Sequence, residues 1–479
     1  MKRCRFFVLP AVLAAFLSLS PATPGAAFEP QSPKLVAKET DRPELDFSLY
    51  RLGPGQGPTL LVVGGIQGDE PGGFSAASLL VTNYKITSGR VWVVPNLNFP
   101  SIVKRNRGTF GDMNRKFAHV DSSDPDYTAV KSIQRIICEP EVNLILNLHD
   151  GSGFYRPNWE SPVHNPSRWG QCVIIDQDAL DAPSLFGELG RMARMAALDA
   201  NSGLLHDEHR YHVRNTETSK GDKEMEKTLS YFAVLNGKPS FGVEASKNFT
   251  TEFRTYYHIR ILESFMRQMG ITFERGFALS PQGVKNAINS NVGIALYNDR
   301  VFLPLDDVRP ALAYVPMKKN APVDLKSTKP LLALLQENES SWRVAYGNRT
   351  LTRIRPQYMD YDESLPSVEV VRDGVPQTVP VGGVVAVSDS FMVKPIKGYR
   401  VNVIGALKEK ADGSECNVLL RQKDFISRYS VDKNATIYRV EIYKGKMFAG
   451  MVLVRFGKPV PASRDTLTAV KGPESEYGF

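Results

Sequence analysis

Hydrophobic and polar positions fall into two textures along this chain. Up to about residue 275, apolar runs of strand length alternate with stretches whose apolar residues recur at helical spacing. Residues 59–66 (TLLVVGGI) form an apolar run that ends in glycines, and residues 71–83 then place small and apolar side chains three and four apart. That pattern predicts a buried strand, a tight turn and a helix. Residues 90–95 (RVWVVP) and 142–148 (VNLILNL) read as further buried strands, 172–175 (CVII) and 240–243 (SFGV) as weaker ones, and 129–137, 184–200 and 251–269 as helices. Strands alternating with helices imply a mixed or parallel sheet covered on both faces.

From about Gly276 onward, short runs rich in Val, Ile, Tyr and Phe alternate with turns, at 293–296, 342–346, 367–371, 382–387, 399–404, 436–443 and 448–454. Asp373-Gly374 and Asp412-Gly413 are turn signals between them. The expectation is two small β-sandwich domains that meet near residues 360–370. The domain division is therefore 28–273 for an α/β unit with helices on both faces, then 274–366 and 367–479 for the two sandwiches. A length of 479 residues fits two or three domains.

The N-terminus changes the picture of where the protein works. Lys2, Arg3 and Arg5 precede an apolar run from Phe6 to about Leu19, and Pro21, Pro24 and the small residues Gly25, Ala26 and Ala27 follow. Residues 1–27 read as a signal peptide cleaved near Ala27, with a retained anchor as the alternative. No later stretch reaches about 18 apolar residues, so no stable membrane insertion is expected after cleavage, and the location implied is the periplasm. Cleavage removes three basic residues and no acidic ones, which lowers the formal charge from +8 to +5. No basic run with interleaved aromatics occurs, so nucleic acid is not an expected partner; an anionic small substrate or polymer suits the balance better. The mature chain keeps Cys138, Cys172 and Cys416, none in a CxxC pair, and Cys138 and Cys172 flank apolar runs as buried thiols do.

Four polar clusters sit at the ends of these elements. In Gly64-Gly65-Ile66-Gln67-Gly68-Asp69-Glu70-Pro71, Gln67 and Glu70 lie three apart across the strand-to-helix turn, a spacing that can aim two side-chain oxygens at one point. Taken alone it also reads as a polar turn capping the helix. His149 ends the run 142–148, where open α/β sheets place their sites. Asp112-Met113-Asn114-Arg115 offers amide donors and a forked cation for a carboxylate, with Arg105 and Arg107 upstream. Glu244 follows the run 240–243, either as a functional carboxylate or as an ordinary ion-paired one. His206, His209 and His212 form a rival cluster in a strongly polar segment, read as solvated or loop-lining.

In this order the four clusters resemble the zinc carboxypeptidase family of the funnel-shaped α/β fold, over about residues 45–270. The family's His-x-x-Glu pair corresponds to Gln67 and Glu70, its Asn-Arg pair to Asn114 and Arg115, its later His to His149 and its catalytic Glu to Glu244. Arg107 lies where the family carries an Arg that polarises the scissile carbonyl. The first ligand departs from the pattern, since Gln67 stands for His. An amide oxygen preserves the site's charge but is a weaker donor. The glutamine, the signal and the two trailing β domains resemble the subgroup of periplasmic D,L-carboxypeptidases that trim peptidoglycan and set cell shape in helical bacteria.

The resemblance implies one Zn2+ held by Gln67, Glu70 and His149, with Glu244 and Arg107 catalytic. Asn114 and Arg115 would bind substrate. Stem peptides of peptidoglycan are the implied partner, with a muramyl tripeptide trimmed to a dipeptide by release of terminal meso-diaminopimelate. Arg156 and Trp169, in the loop after His149, are candidates for reading the far end of the released residue. An N-acyl amino acid amidohydrolase of the aspartoacylase type shares the Asp-x-Asn-Arg pattern, and an inactive cell-wall-binding scaffold would account for the replaced His; both stay open as alternatives.

Overall fold

The protein is represented by a computed structural model, which describes residues 47–408 and 413–457. The signal-peptide expectation for residues 1–27 lies outside the described residues. The α/β unit contributes strands Tyr50–Leu52 (β1), Thr59–Val63 (β2), Tyr84–Ser88 (β3), Arg90–Val94 (β4), Val142–Gly151 (β5), Phe154–Tyr155 (β6), His164–Asn165 (β7), Cys172–Ile175 (β8), His212–Asn215 (β9), Ser240–Ser246 (β10) and Thr272–Arg275 (β11). Its helices are Pro71–Asn83 (α1), Phe99–Lys104 (α2), Tyr127–Cys138 (α3), Leu189–Asn201 (α4), Leu229–Leu235 (α5) and Thr251–Gln268 (α6).

Seven strands form one mixed sheet in the order β1-β4-β2-β5-β10-β8-β9. Its centre, β4-β2-β5-β10, is parallel, while β1 and β8 pair antiparallel to β4 and β10. The alternation of β2 shows why both faces are covered. Leu60 and Val62 pack into one apolar cluster with α1, α4 and α6, and Leu61 and Val63 pack into a second with α3 and α5. A side chain of this size, fully buried, contributes about 1.5–3 kcal/mol. Period-2 alternation therefore fixes the register, because a one-residue slip would exchange the two layers.

The strands after residue 292 build four small sheets. Gly293–Leu296, Val301–Pro304 and Leu325–Ser327 make one, and Ala311–Lys318, Leu332–Asn338, Ser341–Tyr346 and Arg349–Met359 make the second. Their core is continuous with that of α1 and α6: Ile294, Leu303, Val344 and Ile354 belong to the same apolar cluster as Phe74 and Tyr257. The last two sheets, within residues 367–456, face each other across a separate core that includes Val370, Phe391, Val440 and Val452. One expectation fails here. Residues 281–289, in the stretch read entirely as strands, form a helix (α7), because Ser280 Oγ accepts the Gly283 N–H and Pro281 fits the first turn.

Candidate active site

The site grows from the carboxyl ends of β2, β5 and β10. After β2 the chain reverses through Gly65, whose φ of +72° suits glycine, and through Gly68, where a Cβ would fall 2.0 Å from the Ser101 backbone. This tight exit brings Gln67 and Glu70 under the sheet end just before α1. Glu70 is the residue preceding α1, yet its side chain makes no capping hydrogen bond, so the helix-cap reading of this turn does not hold. Both side chains are buried, as are His149 and Glu244.

Their oxygens converge on one nitrogen. His149 Nδ1 lies 3.2 Å from Gln67 Oε1 and 3.0 Å from Glu70 Oε2. A ring nitrogen carries at most one hydrogen, so it can serve both acceptors only by sharing that hydrogen between them. One nitrogen and two oxygens facing a single point suit a divalent cation; the carboxylate and the imidazole are zinc-type donors, and the amide oxygen is a weaker one. Among the described residues no group of three His, Cys, Asp or Glu side chains is placed to hold a metal ion. This cluster has two, Glu70 and His149, with the amide oxygen of Gln67 beside them.

The surrounding charges hold the cluster in place. Gln67 Nε2 donates to Asp112 Oδ1 at 2.8 Å, Arg107 Nε donates to Asp112 Oδ2 at 2.9 Å, and the Asn114 N–H donates to Asp112 Oδ1 at 3.0 Å. Burial pushes the Asp112 carboxyl up, but the Gln67 amide, Arg107, Arg115 and the Asn114 N–H outweigh it and hold it below the usual carboxylate range. Arg107 and Lys247 both lie near Glu70 Oε1, at 3.6 and 3.4 Å. Asn114 is anchored by accepting the Leu229 N–H at 3.0 Å, with its Nδ2 close to His149 Nε2.

Glu244 is the Cα partner of His149 across the parallel pairing of β10 and β5. Its Oε2 is buried without a hydrogen-bond partner. Burial raises its carboxyl well above the usual range, and Glu70 and Asp150 raise it further, against the pull of Lys247 and Arg107. A buried carboxyl with an unpartnered oxygen, beside the imidazole of His149, suits proton transfer.

Residues 53–289 match the family described as carboxypeptidase controlling helical cell shape, catalytic, and residues 361–457 match the C-terminal domain of metallo-carboxypeptidase. The chain is 37% identical to the cell shape determinant protein Csd4 of Helicobacter pylori in its apo crystal structure, covering 86% of this chain and 100% of that one with a TM-score of 0.79. The chain belongs to this family of cell-shape metallo-carboxypeptidases. The Helicobacter protein has also been solved with a bound tripeptide (38% identity, 86% and 100% coverage, TM-score 0.78). A further structure of it, in the mDAP-bound form, is described as a D,L-carboxypeptidase (38% identity, 85% and 100% coverage, TM-score 0.79). A curated relative from Halomonas elongata, N-alpha-acetyl-L-2,4-diaminobutyric acid deacetylase, is 32% identical over 105 residues, and the chain spans 30% of its length. Neither the amidohydrolase alternative nor the inactive scaffold is favoured by membership of this family.

In this family member the remaining sequence candidates have definite surroundings. Arg115 pairs with Glu224, at 3.3 Å, and donates to the Asn114 carbonyl. Arg156, expected to read substrate, is spent on the fold: its guanidinium donates to the carbonyls of Tyr155, Glu208 and Arg210 and pairs with Glu160. It is buried and has no free fork for a ligand carboxylate. Trp169 is half-buried, with the Arg214 guanidinium 3.6 Å from its ring centre. The histidine segment, read as solvated or loop-lining, is largely exposed at His206, Asp207, Glu208 and Arg210 but turns one histidine inward. His209 is buried, with Nδ1 2.8 Å from Tyr257 Oη and its ring against Phe249, and His212 opens β9. Cys138, expected to be buried, is exposed, whereas Cys172 is buried.

Sequence reasoning passed over Lys247 and the hub role of Asp112. It also passed over Asp150, which faces away from the cluster to accept from the Gly72 N–H (2.8 Å), Arg254 (3.1 Å) and His258 (3.1 Å). The available signals were position alone: Asp112 precedes the Asn-Arg pair, and Lys247 follows Glu244 by three residues.

Proposed function

We propose that this chain is an exported, zinc-dependent D,L-carboxypeptidase that releases terminal meso-diaminopimelate from peptidoglycan muramyl tripeptide in the periplasm. The observation that carries the reading is the approach of Gln67 Oε1 and Glu70 Oε2 to His149 Nδ1. The tripeptide- and mDAP-bound forms of the Helicobacter relative support the substrate. Residues 1–27 act as the signal, 28–273 as the catalytic domain, and 274–366 and 367–479 as the two β-sandwich domains.

Gln67, Glu70 and His149 would hold one zinc ion, which when bound would supply an acidified water and a Lewis acid. The Glu244 carboxylate takes a proton from the attacking water and returns it to the departing amine. Arg107 faces the developing oxyanion of the scissile carbonyl. Arg115, released from its exposed partner Glu224, binds the terminal carboxylate with help from Asn114, which restricts cleavage to the chain end. Trp169, half-buried in the loop after His149, would contact the far end of the released residue.

The test is mass spectrometry of muropeptides after digestion with the purified protein, with and without a zinc chelator. Loss of meso-diaminopimelate from the tripeptide, abolished by the chelator, is the expected result. Unchanged tripeptide in zinc-replete buffer would sink the reading.

A further inference from the structure

A glutamine is an unusual choice of ligand for a physical reason that the structure resolves. The two ends of its amide are nearly equal in size and opposite in character: the oxygen accepts, and the NH2 group only donates. Packing alone barely distinguishes them, so an unassisted glutamine would present the wrong end to a cation part of the time. The hydrogen-bond partner at the other end decides which way the amide faces.

We propose that Asp112 is the positioning residue that locks Gln67 oxygen-first toward Glu70 and His149. The inference rests on the metal-site reading given above. Gln67 is buried, and its Nε2 donates to Asp112 Oδ1 at 2.8 Å. A carboxylate accepts only, so this position admits the NH2 end and rejects the oxygen. The carboxylate is itself immobilised, with the Asn114 N–H on Oδ1 and Arg107 Nε on Oδ2. Turning the amide over would place two oxygens face to face at Asp112 and a donor group on the ligand cluster. The cluster thus gets its third donor through a residue that touches neither Glu70 nor His149 directly.

The test compares two backgrounds by competition for zinc against a fluorescent chelator, using the full mature chain. In the Gln67 protein, Asp112→Ala should weaken zinc binding roughly 10- to 100-fold, the usual cost of losing such a supporting partner. In a Gln67→Glu protein both ends of the side chain are oxygens and nothing remains to be oriented. There Asp112→Ala removes a like-charged neighbour, and affinity should stay level or rise. A loss shared by Gln and Glu backgrounds would show that Asp112 acts through its charge or its loop, and would overturn the proposal. So would undiminished binding by Asp112→Ala, or a Gln67→Glu protein that binds no zinc, since an oxygen could then not serve at that position. Wild-type protein without zinc would overturn both this inference and the metal-site reading, whereas zinc-binding wild type with an equally tight Asp112→Ala would overturn this inference alone. If Asp112→Ala fails to give a cooperative melt in chelator, Asp112→Ser takes its place in both arms.

Discussion

Glu244 stands beside His149 in the parallel register of β10 and β5, so both side chains leave the sheet on the same face. Neighbouring strands lie about 4.8 Å apart, which brings the carboxyl next to the imidazole without asking it to bind anything there. Its Oε2 is buried and unpartnered, an arrangement that costs stability and is retained where a group has to exchange a proton. Glu244→Gln should therefore keep zinc affinity within a few-fold of wild type while turnover falls by about 10²–10⁴. Chelator competition and tripeptide hydrolysis, measured on the same preparation, check both halves. Near-normal turnover would remove Glu244 from the proton-transfer role.

Gln67 carries the second prediction. Its amide oxygen is a weaker donor than an imidazole nitrogen, so Gln67→His should retain or tighten zinc binding. Gln67→Ala leaves Glu70 and His149 as the two remaining donors and should weaken it by about tenfold or more. Equal affinities for Gln67→Ala and wild type would mean that Gln67 is not a ligand.

The parts of the site that were legible in the sequence share one property: they sit where a strongly apolar run stops. His149 after VNLILNL, Glu244 after SFGV and Gln67 after TLLVVGG are placed by a sheet whose strands announce themselves through burial on both faces. The surroundings of Arg156 and His209 were not legible because they lie in loops, where nothing in the local pattern says whether a polar side chain faces water or the backbone of another loop. In the fold, Arg156 spends its donors on carbonyls of residues 52 and 54 positions away, and such contacts leave no periodic trace. The helix at residues 281–289 was hidden differently. Its nine residues are short, and Val and Ile within it favoured strand, while the deciding Ser280 cap and Pro281 are single-residue signals.

Asp150 gives a prediction about stability rather than chemistry. Burial pushes its carboxyl up, but His258, Arg254 and the Gly72 N–H outweigh that and hold it below the usual carboxylate range. It ties β5 to the start of α1 and to α6, and so braces the turn that carries Glu70. Asp150→Ala would leave the fully buried His258 without its partner and Arg254 without its anion. A loss of about 3–5 kcal/mol is expected in urea unfolding of the metal-free protein. A loss below about 1 kcal/mol would show that the network is relaxed by water or by rearrangement.

Asp176, just beyond β8, gives a pH signature outside the cluster of Gln67, Glu70 and His149. Burial pushes its carboxyl up to about 6, against hydrogen bonds from Thr218 and Thr216, and its Oδ2 has no partner. Between about pH 4 and 6 the folded protein keeps a proton that the unfolded chain has released, so stability falls as pH rises through this window and is level above it. A shift of this size corresponds to about 3 kcal/mol at neutral pH. Asp176→Asn cannot ionise and still accepts from Thr218. The variant should gain roughly 1–3 kcal/mol over wild type at pH 7, and the gain should vanish by about pH 3, below the ordinary value of 3.8, where the wild-type carboxyl is protonated in both states. Denaturant unfolding of both proteins at these two pH values decides it, and a difference that does not change with pH would show that Asp176 is ionised in the fold without penalty.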